Sequence, residues 1–292
     1  MNYAQKWTTT LDQLIRQNSL TSLLETPEPR FIDAKTFHVP NMTVSGYKTH
    51  SRNGGFNRGD VTTTNEPYTL SFDRDIEFFV DKADVDETAQ VASAANVTKT
   101  FMTEKATPEI DAYRFSKIAT RAKTDARFLA EAITAANAYT RLKAAILPVR
   151  KYGPGNIIVY VSSQVMDCLE QSSTFTRQIT NQNVGQTNLE SRITSIDGVQ
   201  IIEVWDTDRF HTAFDFTNGY VNAVGSFAIN FLVVAKPSIV AAAKISSIYL
   251  FQPGQHTQGD GYLYQNRMYH DLFILKNKAD GIFVSHGTVA KV

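Results

Sequence analysis

The chain has 292 residues, of which 42% are hydrophobic and 20% are charged, a composition typical of globular proteins. Its 29 basic and 29 acidic side chains cancel to a formal net charge of zero, which argues against tight binding of duplex DNA and leaves only weak contact with it. A single cysteine, Cys168, excludes an intrachain disulfide; no apolar segment predicts a signal peptide, and no run of about 18 apolar residues predicts a membrane span.

The first 36 residues are predicted to form an N-terminal arm and not a domain. They are mostly polar, with one short amphipathic stretch that includes Leu11, Leu14 and Ile15. A Pro-Glu-Pro sequence at 27–29 ends that stretch, because proline cannot continue a helix. The pattern indicates an extended segment with one possible helix.

Residues 45–67, SGYKTHSRNGGFNRGDVTTTNEP, form a polar stretch of 23 residues with four glycines. The segments on either side have nearly alternating apolar residues, which predicts strands; these residues are Phe37, Val39, Met42 and Val44 before the stretch, and Leu70, Phe72, Ile76, Phe78 and Val80 after it. Hairpin loops usually have about 2–5 residues, and long ones are normally functional or disordered. The pattern therefore predicts a hairpin over 37–80 with an oversized tip.

Three helices are predicted after the hairpin. The first covers about 86–106, with Asp84 and Glu87 as a capping-box variant, and Pro108 is expected to end it. A second is predicted over 108–121 and a third over about 126–147.

The remainder is predicted to be mainly strands. Gly-Pro-Gly-Asn at 153–156 opens a strand at 157–161, a short helix follows at 163–171, and 172–192 is a polar loop. Further strands are predicted at 198–205, 230–236, 244–251, 262–276 and 281–286. Helices and strands do not alternate strictly, which favours an α+β fold over a doubly wound parallel sheet.

No pattern in the sequence indicates catalysis. There is no glycine-rich phosphate loop, no nucleophile elbow and no histidine–cysteine spacing typical of a metal site. His256 and Asp260 are interpreted as members of a solvated turn. Asp206 and Asp208 are interpreted as residues that end a strand and bond to local backbone. We therefore assign no catalytic residue, no metal ligand and no cofactor, and expect no enzymatic activity.

Four segments resemble the major capsid proteins of tailed double-stranded-DNA bacteriophages, the HK-ninety-seven fold family. They are FVDKADVDETAQVASAANVTKTFMTEKATPEIDAYRFSKIA at 79–119, ITSIDGVQIIEVWDTDRF at 193–210, FLVVAKPSIVAAAKISSIYLFQP at 231–253 and YQNRMYHDLFILKNKADGIFVSH at 264–286. The resemblance covers most of residues 30–286. It implies an α+β capsid fold divided into an N-terminal arm (1–36), an E-loop hairpin (37–80), a P-domain spine-helix region (81–125), an A-domain (126–240) and P-domain C-terminal strands (241–292).

The resemblance also implies a function and a set of partners. The chain would self-assemble into pentamers and hexamers of an icosahedral shell that encloses the phage genome. Expected partners are further copies of the chain, a portal protein, a decoration protein and packaged DNA in weak contact. Because only about 35 residues precede the hairpin, scaffolding is expected to come from a separate protein or from none. The location implied is the virion capsid, assembled in the cytoplasm of the host bacterium, with no membrane contact.

In this interpretation the oversized tip reaches over a neighbouring subunit. The tip residues expected to make the contact are Lys48, Arg52, Phe56, Arg58 and Asp60. Their expected partners on the neighbour are the acidic residues that begin the spine helix, Asp84, Asp86 and Glu87. Some family members cross-link a lysine of this loop to a neighbouring asparagine, but the surroundings of Lys48 do not match that motif.

Two alternatives remain open from the sequence. An encapsulin-like compartment would share the fold and differ in its content, which would be cargo protein in place of DNA. A cytoplasmic α+β enzyme would require a pocket of converging titratable groups.

Overall fold

The computed structural model describes residues 17–26, 35–50, 52, 54–83, 94–172 and 195–291. Its α-helices are α1 (Ala94–Phe101), α2 (Thr107–Thr124), α3 (Ala138–Ile146) and α4 (Ser163–Gln171). Its strands are β1 (Thr36–Val44), β2 (Val61–Thr69), β3 (Phe72–Asp81), β4 (Phe128–Ala130), β5 (Ile157–Ser162), β6 (Ser195–Ile196), β7 (Val199–Val204), β8 (Phe214–Asp215), β9 (Val221–Asn222), β10 (Phe227–Ala235), β11 (Ile239–Phe251), β12 (Gly261–Ile274) and β13 (Ile282–Ala290).

The centre of the body is a mixed six-stranded sheet in the order β4-β13-β10-β5-β7-β6. Strand β5 has every residue buried, which explains its unbroken apolar sequence, because both faces of the sheet are covered. On one face Ile158 and Leu232 pack with Phe115 of α2. On the other face Val159 packs with Leu142 of α3. The sheet therefore lies between two helical layers.

A second, antiparallel sheet has the order β11-β12-β3 and packs against the long helix. Helices α1 and α2 are continuous through a π-helical turn at Met102–Ala106, so the helix runs from 94 to 124 in the described part of the chain. The predicted break at Pro108 is therefore wrong. A proline inside a helix lacks the amide hydrogen and crowds the carbonyl four residues earlier. The wider π turn immediately before Pro108 accommodates the missing hydrogen bond and the crowded carbonyl.

Strands β1 and β2 form a two-stranded antiparallel ribbon, the arm, with a tip at 45–60. The hairpin is confirmed, but its returning strand is β2 and not the segment after Leu70. Strand β3 instead joins the three-stranded sheet beside β12. The sequence of β2, VTTTNEPYT, lacks apolar alternation because most of its residues are exposed, and it was predicted as loop for that reason.

The helix predicted over 126–147 is only partly present. Ala126 has a positive φ of 53°, which ends α2 and turns the chain into the short strand β4 beside β13. Helix α3 begins only at Ala138, after a turn in which the Asn137 side chain accepts a hydrogen bond from the Thr134 backbone at 2.8 Å. Pairing with the sheet edge outweighs the helix propensity of this alanine-rich segment.

The helix predicted at 163–171 is confirmed with the same ends, and the remaining predicted strands are confirmed with ends that differ by at most five residues. Most of the loop predicted at 172–192 lies outside the described residues, as do residues 86–93 of the first predicted helix. Cys168 lies on α4 and is half-buried. None of the described helices combines the length and apolar character that crossing a bilayer requires. The five domain boundaries remain a prediction.

Candidate assembly interface

The arm exposes apolar side chains on a ribbon of only two strands. Its register runs from Thr36 opposite Thr69 to Val44 opposite Val61. Val44 and Val61 are 64% and 66% exposed, and Met42 on the same strand as Val44 is 65% exposed. Isolated two-stranded hairpins are marginally stable in water, so a ribbon with these exposed apolar groups is a candidate for a surface that a partner covers.

The tip of the arm is closed by its own hydrogen bonds. The Ser45 backbone N–H donates to the Asp60 carbonyl at 3.0 Å, and the Asp60 N–H donates back to the Ser45 hydroxyl at 2.9 Å. The Lys48 ammonium donates to the Arg58 carbonyl at 2.9 Å. Lys48 and Asp60, both predicted contact residues, therefore help to shape the loop itself.

The tip presents two arginine side chains and two aromatic rings to the outside. Arg52 and Arg58 are exposed, and neither side chain forms an ion pair within the described residues. Phe56 is 98% exposed, and Tyr47 is fully exposed. Tyr47 is absent from the predicted contact set, although an aromatic residue in a polar glycine-rich loop was a visible signal. The proposed acidic partners Asp84, Asp86 and Glu87 lie outside the described residues.

The root of the arm is fixed to the body. Phe37 and Leu70 are each 2% exposed and pack against Ala242 and Tyr269. The Tyr269 hydroxyl donates to the Leu70 carbonyl at 2.9 Å. This cluster holds the arm where it leaves the three-stranded sheet.

A buried carboxylate fixes the next residue of the chain. Asp271 is fully buried and accepts hydrogen bonds from the Ser71 backbone N–H and hydroxyl, each at 2.9 Å. The Tyr113 hydroxyl of α2 donates to the same carboxylate at 2.9 Å. Burial, followed by the charge of Asp271, raises the pKa of Tyr113, so the phenol stays protonated as a donor. The long helix thereby sets the position of the chain between the arm and β3.

A second buried network attaches the N-terminal segment to α2, and sequence reasoning missed it. The Asp111 carboxylate accepts from the Leu20 N–H at 2.9 Å and from the Thr21 N–H and hydroxyl at 3.1 and 2.5 Å. The Arg209 guanidinium donates to Asp111 at 3.0 Å and to Asp206 at 2.7 Å, and Arg209 and Asp111 are fully buried. No sequence pattern links these residues, which lie about 90 positions apart.

The two polar pairs considered in the sequence do not form sites. Asp206 is buried against Arg209 just after β7 ends, whereas Asp208 is exposed, so their carboxylates do not act together. His256 hydrogen-bonds to the Gly261 carbonyl at 2.8 Å within its loop. Asp206 follows the end of its strand as predicted, but its carboxylate pairs with the Arg209 side chain and not with local backbone. His256 lies in a turn as predicted, but it is half-buried. Among the described residues, no group of three or more potential metal ligands is present.

One groove of about 480 Å³ lies between β3, the long helix and the turn before β9. Its wall is largely aromatic, with Phe72, Phe78 and Phe101. Arg74 pairs with Glu109 at 2.7 Å and also donates to the Phe216 carbonyl at 2.6 Å. Arg74 and Glu109 therefore neutralise each other at this groove.

The chain shares its fold with proteins of phage particles. The structure of the bacteriophage PhiM1 mature capsid matches with a TM-score of 0.69 at 13% identity, over 98% of this chain and 92% of that one. The capsid structure of cyanophage P-SCSP1u matches with a TM-score of 0.69 at 12% identity, over 99% and 92%. A structure from Mycobacterium phage Che8 matches with a TM-score of 0.63 at 13% identity, over 98% and 96%. No family model and no curated protein matches the sequence. The predicted α+β capsid fold is therefore confirmed.

Proposed function

We propose that the chain is the major capsid protein of a tailed double-stranded-DNA bacteriophage. The observation that carries this proposal is the match to phage capsid structures over 98% and 99% of the chain, which includes the arm as well as the body. All three matched structures come from phages, which favours a virus shell over an encapsulin-like compartment.

The arm supports the proposal on physical grounds. Ordering the backbone of one residue costs about 1–2 kcal/mol, and the arm recovers little of this by burial, because its apolar groups beyond the root are exposed. An obligate subunit contact buries roughly 2,000 Å² or more, enough to offset that cost. Subunits that each cover a neighbour's arm would close into pentamers and hexamers of a shell.

The remaining partners follow from the same function. A shell of this kind needs a portal for DNA entry and weak, non-adhesive contact with packaged DNA, which suits a formal net charge of zero. Scaffolding would come from a separate protein or from none. A decoration protein would bind the outside. The chain would act in the virion after assembly in the host cytoplasm, without enzymatic activity.

Within the arm, we propose that Arg52 and Arg58 meet carboxylates on the adjacent subunit. Both guanidinium groups are exposed, and a guanidinium pairs with a carboxylate through two parallel hydrogen bonds. Phe56 and Tyr47 would add apolar contact area beside them. Asp84, Asp86 and Glu87 remain the carboxylates proposed from the sequence.

Deletion of the tip tests the proposal. Residues 49–60 are replaced by a short Gly-Ser closure, and the size of the purified protein is measured by sedimentation velocity. We expect the wild type to form large closed particles and the deletion variant to remain in small species. Near-ultraviolet circular dichroism is the control and should be unchanged, because the removed residues pack on no buried cluster of the body. Normal shells from the deletion variant would contradict the role of the arm.

A further inference from the structure

The groove of about 480 Å³ lies where the three-stranded sheet and the long helix do not close on each other. Its floor is the helix-facing side of β3 and β12, and its walls are the long helix and the turn before β9. Six large apolar side chains that line it are only half-buried, although they face the layer that should cover them: Phe72, Ile76, Phe78, Phe101, Ile110 and Met268. Protein interiors contain few voids larger than a water molecule, so a gap of this size between two apolar layers is a candidate ligand site.

The groove is elongated and follows β3, with aromatic rings at each end. Phe72 marks one end, where its ring centroid lies 5.2 Å from that of His270. Phe78 and Phe101 mark the other end, with ring centroids 5.4 Å apart. Phe72 and Phe78 are six positions apart on β3, which corresponds to about 20 Å of strand. At about 30 Å³ per water molecule, the groove has room for about 16 groups of that size, so its shape suits a single extended chain.

The charged side chains of the groove leave one positive charge. Arg74 and Glu109 form an ion pair at 2.7 Å and neutralise each other. Asp75 borders the groove, but its side chain lies on the opposite face of β3 from Arg74 and Ile76, because successive side chains of a strand alternate. Lys105 lines the groove, is exposed and forms no ion pair within the described residues. The groove therefore favours an anionic ligand.

A buried polar atom in the wall of the groove has no hydrogen-bond partner. His270 lines the groove and is only 2% exposed, and its Nδ1 forms no hydrogen bond within the described part of the chain. Burial lowers the pKa of His270, so its ring is neutral and can carry its proton on Nδ1. Buried polar groups are normally hydrogen-bonded, and an oxygen of a ligand in the groove would accept this bond.

The helical wall is irregular at the position of the cation. The π-helical turn Met102–Ala106 interrupts the long helix and supplies both Lys105 and the small Ala106 to the groove. Such turns are rare inside α-helices and occur frequently at functional sites. The wall thus offers a free ammonium group beside a position where the side chain takes up little space.

We propose that this groove binds a small anionic amphiphile, a carboxylate with an unbranched apolar chain of about 10–14 carbon atoms, which matches the room in the groove. The apolar chain lies against Phe78 and Phe101. The carboxylate pairs with the Lys105 ammonium, and one of its oxygens accepts the hydrogen bond from Nδ1 of His270. A bound ligand joins the long helix to the three-stranded sheet and stabilises the subunit. This site goes beyond the proposed function and does not depend on it.

Calorimetric titration of the purified full-length protein tests the site with two probes of the same chain length and opposite charge. Dodecanoate, kept below the concentration at which it forms micelles, should bind to a single site per chain with a dissociation constant in the micromolar range. Dodecyltrimethylammonium should bind more weakly by about tenfold or more, which corresponds to about 1.4 kcal/mol. Equal binding of the two probes, or no binding of dodecanoate to the wild type, would overturn the inference.

Charge reversal at the groove should exchange the preference. Lys105→Glu is expected to weaken dodecanoate binding by about tenfold or more and to strengthen the binding of dodecyltrimethylammonium. Lys99→Glu is the charge-matched control, because Lys99 is exposed on the same long helix and does not line the groove. The control should bind both probes as the wild type does. The same loss of dodecanoate binding in both variants would overturn the assignment of Lys105.

A groove-filling variant separates binding in the groove from adsorption elsewhere on the surface. Ala106→Phe adds a ring from the helical wall and should abolish dodecanoate binding, while far-ultraviolet circular dichroism stays unchanged. Dodecanoate should also raise the midpoint of thermal unfolding of the wild type and not that of Ala106→Phe. Undiminished binding to a folded Ala106→Phe protein would overturn the site. If that variant does not fold, the exposed position of Lys105 makes Lys105→Glu the deciding test, and wild-type affinity in Lys105→Glu would overturn the site.

Discussion

Replacing Asp111 should be one of the most destabilising single substitutions in the chain. Asp111→Ala removes the acceptor for the backbone of Leu20 and Thr21, and leaves the buried Arg209 with Asp206 as its remaining carboxylate. Breaking a buried ion pair by removing one partner costs about 3–5 kcal/mol. Since domains are typically stable by about 5–15 kcal/mol, roughly a fifth or more of the total is at stake.

Urea unfolding followed by tryptophan fluorescence measures this loss. Trp205 is a local probe, because its backbone N–H donates to the Gln17 side chain at 3.1 Å, next to the attached N-terminal segment. Asp111→Asn keeps the shape of the side chain and should lose less than Asp111→Ala. The exposed Asp208→Ala is the matched control and should stay within about 0.5 kcal/mol of the wild type. A loss below about 1 kcal/mol for Asp111→Ala would refute the reasoning.

The buried His270 and the close backbone contact at Gly261 give two further predictions. Burial, and then the charge of Arg114, lowers the pKa of His270 from 6.5 to about 4. The unfolded chain therefore binds a proton that the folded chain does not, so stability should fall as the pH drops from 6.5 towards 4, by about 2 kcal/mol between pH 7 and pH 5. His270→Gln should flatten this dependence in urea titrations, and an unchanged slope would contradict it. A Cβ at Gly261 would lie 2.4 Å from the Val80 carbonyl oxygen, so Gly261→Ala should lower the free energy of unfolding by about 1–3 kcal/mol, measured by thermal unfolding. Gly155 has open space around it, so the control Gly155→Ala should lower it far less. Equal losses in the two variants would exclude the clash.

Segments with a strong local signal were predictable from the sequence. The buried run at 157–161 reads as a strand because both faces of its sheet are covered. Helix α4 begins where Ser162 caps it, with its hydroxyl accepting from the Val165 N–H at 3.4 Å. The long polar tip indicated an arm, because such a loop cannot be stable by its own packing.

Other features depend on tertiary contacts that no local pattern encodes. Strand β2 is polar on both faces and is specified by its pairing with β1. The segment after Ala126 turns away from helix because β13 offers it a partner. The network around Asp111 joins three segments that are distant in the sequence.

Cryo-electron microscopy of the purified full-length protein tests the central claim most directly. We expect closed icosahedral shells built from pentamers and hexamers, in which each arm lies over an adjacent subunit. A protein that stays monomeric at high concentration, with its arm free in solution, would contradict the proposed function.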